Sequence, residues 1–480
     1  MINHFISSQY NTSEEFPEAL CLSTSDNSAL EEKKDPPSPI CFTDNELRLS
    51  YLLVGKKKLA AVLQKQFDEL GLSIQTVHDP LRWSRDARVY LPDGTHLIPA
   101  FFPHQSRRNK LLFQSLLPEY LLHFYFDDLD FTGQGFTKKF RQQAIDLAQQ
   151  HRVPYKEGKT CIEGGNCHIF TASDGKPKAI IGYTSLILSF ICLYNQQYFE
   201  KQKDRIMQSI PSHTESLSKD FIRIAKNLKH FICKEPYNID EYVGEKPSAI
   251  WTQLALQTRE MIEITKEVIS EELMIPAERI AYIFQTQFHI DMEVFVGPND
   301  AVFIHDEAQM LALQKRVDIK KMPFLQRTLN FSNERLKQSQ ILLQENTKIL
   351  KSIDCQVIPV PGVLTASYHA KDSLSLSHIN SFWTDPRCQP FAPFYDSETE
   401  ILKKPEFPCM LNFMNGIFLK PNLFITTSAP DHPITSFFQN MFQQKVKEAC
   451  PELNLLFIKE SLPKILICNQ GALRCLTSEL

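Results

Sequence analysis

The sequence predicts an α/β fold built on a degenerate repeat, a helix followed by a short strand. Three observations carry this. Apolar residues recur at helical spacing and then give way to brief apolar runs suited to strands. That order returns four times along the chain at irregular intervals. Polar clusters lie just beyond several of the strands, where α/β folds place their function.

Residues 1–46 are acidic and rich in Ser, Asn and Pro, ending in Lys33-Lys-Asp-Pro-Pro-Ser-Pro39, and read as a disordered leader. The globular domain is expected over 47–480. In its first unit Leu59, Val62, Leu63, Phe67 and Leu70 share a helix face, Gly71 stops the helix, and Ser73–Val77 forms a strand. A second unit has Phe140, Ala144, Leu147 and Ala148 on its helix and a strand approaching Cys161. The run Ala179–Tyr194 reads as a buried strand entering a helix, being short for a bilayer span. Residues 193–272 look almost wholly helical, with Phe221, Ile224, Leu228 and Phe231 on one face and Leu254, Met261, Ile264 and Val268 on another. They are expected to be a helical insertion that buttresses the core, covers the site or docks a partner. A third unit is Leu336, Leu343 and Leu350 followed by Gln356–Val360. The fourth is Phe438, Met441, Phe442 and Val446 followed by Leu455–Ile458.

The chain has 480 residues, 43% hydrophobic and 22% charged, the composition of a soluble globular protein. A net charge of −4 with no basic domain argues against nucleic acid as a partner. Glu14, Glu15 and Glu18 stand where a signal peptide needs a basic start and an apolar core, so no secretion signal and no membrane association are expected. Twelve cysteines without one C-x-x-C pair argue against a disulfide scaffold or a zinc finger. Reduced thiols in a cytoplasmic setting are the simpler expectation. No cofactor and no metal are expected, and the sequence sets no oligomeric state.

Five polar stretches have no easy place in a core: Trp83-Ser-Arg-Asp86, Glu163-Gly-Gly-Asn166, His289-Ile-Asp291, Asn412-Phe-Met-Asn-Gly416 and the terminal Gly471-Ala-Leu-Arg-Cys475. Together they hold a thiol, Cys475, an imidazole, His289, and three acids, Asp86, Glu163 and Asp291. A cluster with more carboxylates than cations attracts a cation, and a guanidinium offers carboxylates a planar fork of donors. A thiolate can attack its central carbon while the imidazole protonates the departing amine. Each stretch also has a plainer reading. Asp86 and Arg85 form a surface ion pair, Glu163-Gly-Gly is a turn, His289 is a core histidine, Asp291 caps a strand end and Cys475 is buried. His168, next to Cys167, reads as a strand residue rather than a ligand. A papain-like protease is disfavoured because His precedes Cys in the chain.

These stretches resemble the motifs of the guanidine-modifying superfamily: the arginine, agmatine and peptidyl-arginine deiminases, the dimethylarginine hydrolases and the arginine amidinotransferases. Trp83–Asp86 with Asp93-Gly94 is similar to the first acidic motif of the agmatine and peptidyl-arginine deiminases. Glu163–Asn166, with Ile180-Ile-Gly182 after it, is similar to the acid-glycine-glycine motif of the deiminases. His289-Ile-Asp291 running into Phe295-Val-Gly-Pro298 resembles a His-x-Asp motif, nearest that of the amidinotransferases. Asn412–Gly416 resembles the strand entering the last blade, and Gly471–Cys475 the nucleophile motif of arginine deiminases. The resemblance spans 47–480 apart from the helical segment. Three features depart from the family pattern: a glycine run reduced to Gly471, a long stretch between Glu163 and His289, and the acidic leader.

The resemblance implies a five-bladed, pseudo-symmetric α/β propeller carrying a helical insertion. It implies hydrolysis of a guanidino group on arginine, agmatine or protein arginine, through a covalent thiouronium on Cys475. His289 is then the general acid/base and Glu163 orients it, while Asp86 and Asp291 grip the substrate guanidinium. Arg474 binds a substrate carboxylate or lowers the thiol pKa, and Trp83 stacks on the cation or packs in the core. The alternatives are an arginine amidinotransferase, and a non-catalytic binding protein on the same scaffold.

Overall fold

One pairing pattern recurs in five three-stranded sheets among the described residues of the computed structural model. In each, the middle strand runs antiparallel to one neighbour and parallel to the other. The residues described are 51–55, 57–79, 81, 84–100, 116, 138–208, 249–286, 289–316, 323–366, 409–420, 422–427, 433–458, 473–474 and 477–479. The leader 1–46, Trp83, Cys475 and the face Phe221–Phe231 lie outside them.

The first sheet joins β17 (Thr477–Glu479), β1 (Tyr51–Val54) and β2 (Gln75–His78). The second joins β3 (Val89–Tyr90), β4 (His96–Ile98) and β5 (Tyr155–Glu157). The third joins β6 (Cys167–Thr171), β7 (Pro177–Gly182) and β8 (Ile280–Ile283). The fourth joins β9 (Val294–Val296), β10 (Ala301–His305) and β11 (Gln356–Val360). The fifth joins β14 (Ile417–Lys420), β15 (Leu423–Thr427) and β16 (Asn454–Ile458). A two-stranded ribbon, β12 (Val363–Ala366) with β13 (Cys409–Asn412), lies between the fourth and fifth in the chain.

A parallel pair needs a crossover of a dozen or more residues, usually helical. Here α1 (Lys57–Glu69) links β1 to β2, and α2 (Lys138–Gln150) precedes β5. Between β7 and β8 run α3 (Tyr183–Asn195), α4 (Tyr198–Lys201), α5 (Lys203–Gln208) and α6 (Ala249–Leu273). Between β10 and β11 run α7 (Glu307–Gln314) and α8 (Pro323–Lys351), and α9 (Pro433–Ala449) leads to β16.

Four of these crossover helices stop in the same way. Gly71 after α1, Arg152 after α2, Met274 after α6 and Asp354 after α8 all have positive φ, between 55° and 64°. In each, the next residue's N–H reaches back to a carbonyl five positions earlier: Leu72 to Phe67 at 2.8 Å, Val153 to Ala148 at 2.9 Å, Ile275 to Ser270 at 3.2 Å and Cys355 to Leu350 at 3.1 Å. This left-handed cap ends the helix and turns the chain into the next strand. Three of the four caps carry a side chain despite the steric cost of that conformation.

The shared cap gives the helical segment 193–272 its place. Its described part lies in the crossover between parallel strands β7 and β8, and α6 ends as the other crossover helices do. The long crossover is thus an enlarged version of the same unit, with residues 209–248 outside the described ones. Met261, Ile264 and Val268 bury the face expected of them. Ala179–Tyr194 is, as expected, a strand running into a helix.

Neighbouring sheets share apolar cores. Leu97 of the second packs in one cluster with Ile169 and Ile181 of the third. Ile180 and Ile283 of the third meet Val294 and Val302 of the fourth. Phe295 of the fourth stacks on Phe303 and on Phe424 of the fifth, each with ring centroids 4.5 Å apart. Leu52 and Val54 of the first share a cluster with Ile417 and Ile425 of the fifth. Each aromatic contact adds about 0.5–1.5 kcal/mol beyond its buried area.

Candidate active site

Each chain segment that leaves one three-stranded sheet for the next brings candidate residues. Asp86 lies between β2 and β3, and Glu163 between β5 and β6. His289 and Asp291 lie between β8 and β9, Asn412 and Asn415 between β11 and β14, and Arg474 between β16 and β17.

The turn bearing Asp86 is pinned from behind by Asp79. Its carboxylate accepts from the Leu81 N–H at 2.8 Å, from Arg88 Nη2 at 3.1 Å and from the Ser84 hydroxyl. Arg85 and Asp86 are both 3% exposed, so the surface ion pair is corrected: this acid is buried. Glu163 precedes the 3-10 turn Gly164–Asn166. Both glycines are needed there for close approach. A Cβ on Gly164 would strike the carbonyls of Arg85 and Arg88, and one on Gly165 would overlap the His289 ring. His289 opens a second short turn, Ile290–Met292.

These three side chains meet. His289 Nε2 is 2.6 Å from Glu163 Oε2, and its Nδ1 is 3.6 Å from Asp86 Oδ1. Glu163 and His289 are fully buried. Asn166 braces the pair. Its Nδ2 donates to Glu163 Oε2 at 3.4 Å, while its Oδ1 accepts from Gln285 Nε2 at 2.9 Å and from the Ile290 N–H at 3.1 Å. Glu272 at the end of α6 holds the approach to Glu163, accepting from the Lys159 N–H at 2.5 Å and from the Thr160 N–H and hydroxyl.

Burial pushes the Asp86 carboxyl up to about 7, against the pull of the His289 charge and helped by the nearby Glu163 and Asp291 charges. A carboxyl half-protonated near neutrality is poised to change charge when a cation arrives. Among the described residues, Asp86 Oδ1 and Glu163 Oε1 are buried carboxylate oxygens with no hydrogen-bond donor. Acceptors left this way are costly unless a ligand or another group supplies the donors.

Asp291 and Arg474 form the second half of the site. Arg474 Nη1 lies 3.4 Å from Asp291 Oδ2, and both side chains are buried. Of the two roles expected of Arg474, the grip on a substrate carboxylate does not fit, because its guanidinium turns into the protein. Asp291, expected on the substrate cation, holds the chain's own guanidinium. Asn412 and Asn415 join this half to the turn after His289. Asn412 Nδ2 donates to the Met292 carbonyl at 2.8 Å and Asn415 Nδ2 to the Asp291 carbonyl at 3.2 Å.

No protein-family model and no curated protein matches the sequence. Among solved structures the chain is similar to the agmatine deiminase of C. jejuni, at 9% identity, over 92% of this chain and 95% of that one, with a TM-score of 0.37. At that score the likeness is too loose to say anything of chemistry.

His168 lies within β6, a strand residue as expected. Among the described residues no cluster of His, Cys, Asp or Glu is arranged to hold a metal ion, and no helix is long and apolar enough to cross a membrane. Cys161, Cys167, Cys192, Cys355 and Cys450 form no disulfide. Gln285 escaped the sequence reading. The one local signal for it is a polar residue two positions past an apolar strand, and its partner Asn166 lies 119 positions away.

Proposed function

We propose that the chain hydrolyses a guanidino group on a five-bladed α/β propeller of the guanidine-modifying type. The observation that carries this is the buried His289 set between Glu163 at 2.6 Å and Asp86 at 3.6 Å. Support for the propeller comes from the five sheets of like pairing, the cores shared between neighbours and the site residues gathered from successive inter-sheet segments.

In this reading the substrate guanidinium docks against Asp86 and supplies donors to its orphaned oxygen, lowering its proton affinity. Asp291 adds negative charge to the same group while its Oδ2 stays on Arg474. The Cys475 thiolate attacks the guanidinium carbon, forming a C–S bond. Protonated His289 gives its proton to the departing nitrogen as the C–N bond breaks, leaving a thiouronium. His289 then takes a proton from water, whose oxygen adds to the same carbon. The C–S bond breaks, returning the thiolate and releasing a ureido product. Glu163 keeps the imidazole oriented and balances its charge through both halves.

The test is colorimetric detection of ureido product from arginine, agmatine, methylated arginine and an arginine peptide. The expected result is turnover of at least one of them, lost in a folded Cys475→Ala variant. Transfer to glycine or lysine in place of water would point to an amidinotransferase. Turnover surviving in Cys475→Ala overturns the mechanism. Absence of turnover together with failure of Cys475 to react with a haloacetamidine would leave a binding protein.

A further inference from the structure

Arg474, the residue before Cys475 in the chain, is bound from several sides at once. Besides lying 3.4 Å from Asp291 Oδ2, Nη1 donates to the Gly164 carbonyl at 3.0 Å, and Nη2 donates to the Cys167 carbonyl at 3.1 Å. The main chain is tied as well. The Arg474 N–H donates to Asn415 Oδ1 at 2.8 Å, and its carbonyl accepts from the Thr477 N–H at 3.1 Å. Thr477 is buried, and its hydroxyl donates to the Leu473 carbonyl at 2.9 Å.

The acceptors are not scattered. Gly164 follows Glu163 directly, Cys167 opens the strand after it, and Asp291 lies two residues beyond His289. Asn415 closes a loop of contacts, receiving the Arg474 amide and giving its own to the Asp291 carbonyl. A planar fork can serve two carbonyls and a carboxylate in fixed directions, whereas an ammonium is a point charge on a flexible stem.

We infer that Arg474 is a positioning residue. Its guanidinium and its amide fix the main chain that enters Cys475 against the segments bearing Glu163 and His289, and Asp291 serves this internal cation. The inference rests on Cys475 being the nucleophile. It assigns Arg474 a purpose that a carboxylate-binding arginine would not have, because the guanidinium is used up by the protein itself. A residue that precedes the thiol in the chain and is anchored to the imidazole's own segments should govern how readily that thiol reacts.

The test reads the thiol and needs no substrate. Iodoacetamide alkylation of Cys475 is followed against pH by site-resolved mass spectrometry in the full-length wild type, Arg474→Lys and Arg474→Ala, each checked for folding by thermal melt. The wild-type midpoint is the reference. Arg474→Ala should raise that midpoint by about one unit, and methylguanidine, but not methylammonium, should restore it. Arg474→Lys should remain shifted, because the charge is kept and the fork is lost. A folded Arg474→Ala with the wild-type midpoint overturns the inference. So does an Arg474→Lys that matches wild type, which would reduce the role to charge alone. If Arg474→Ala does not fold, Arg474→Lys decides by itself. Failure of the wild-type thiol to react with a haloacetamidine would instead sink the nucleophile assignment, so the two failures are separable.

Discussion

Glu163 Oε2 and His289 Nε2 stand 2.6 Å apart in the interior, joined from residues 126 positions apart in sequence. The contact fixes one face of the imidazole and turns the other toward Asp86. Removing the acid's charge while keeping its shape should therefore harm proton transfer more than binding. Glu163→Gln is expected to lower kcat by about 10²–10⁴-fold with KM changed little, as for loss of a positioned general acid/base. Steady-state kinetics on any substrate the wild type turns over would check this. An unchanged kcat would detach Glu163 from the imidazole's work.

Asp86 should make the protein less stable as pH rises. Its folded pKa, about 7, lies above the ordinary 3.8, so the folded state holds a proton that the unfolded chain has released between those values. Below about pH 4 the acid is protonated in both states and the penalty vanishes. It grows through the window from 3.8 to 7 and is complete above it, reaching a few kcal/mol at roughly 1.4 kcal/mol per pKa unit. Asp86→Asn should thus stabilise the protein more at pH 8 than at pH 5. Urea midpoints at the two pH values are the measurement, and an equal gain at both would contradict the buried-acid account.

Gly165→Ala should disturb the imidazole and little else. Its Cβ would occupy the His289 ring, so a stability loss of about 1–3 kcal/mol is expected from overpacking, with activity falling further than stability does. Gly175→Ala is the control. That glycine has φ +75° with no atom near its would-be Cβ, so it should lose about 1 kcal/mol from backbone strain and keep its activity. Equal activity in the two variants would mean that His289 does not need Gly165's space.

Glu272→Gln should loosen the approach to Glu163. Its carboxylate takes the Lys159 and Thr160 amides and the Thr160 hydroxyl, just ahead of Glu163 in the chain. A loss of about 1.5–3 kcal/mol is expected, the range for hydrogen bonds to a charged group. Faster hydrogen exchange at Thr160 and Cys161 is the readout, and unchanged exchange there would confine Glu272 to α6.

Much of the site was legible because polar residues past apolar strands stand out. Asp86, Glu163 and His289 were found this way, and all three meet in the interior. The brace around them was legible only in part. Gln285 looks like an ordinary loop amide until its partner Asn166 arrives from another connection, and the stretch Asn412–Gly416 stands out without showing that Asn415 reaches the Asp291 carbonyl. One of the two readings of Arg474, an outward grip on a substrate carboxylate, fails for a related reason: only tertiary contact reveals the carbonyls of Gly164 and Cys167 that hold its guanidinium. The repeat was partly readable. Four helix-strand units were evident from periodicity, but the third sheet's own unit was hidden because its crossover spans nearly a hundred residues, Tyr183 to Ile280, and read as foreign to the repeat. What marks it as the same unit is the left-handed cap at Met274, a residue type that announces no such conformation.

The pairing of β17 with β1 sets an order of events in synthesis. Leu53 waits for Ser478, roughly four hundred residues downstream, before the sheet it begins is complete. Arg474 comes just ahead of that closing strand, so its anchors and the closure are laid down together. A ribosome still short of Ser478 therefore carries a first sheet without its antiparallel edge, and Arg474 can reach its anchors only when that edge is about to be made.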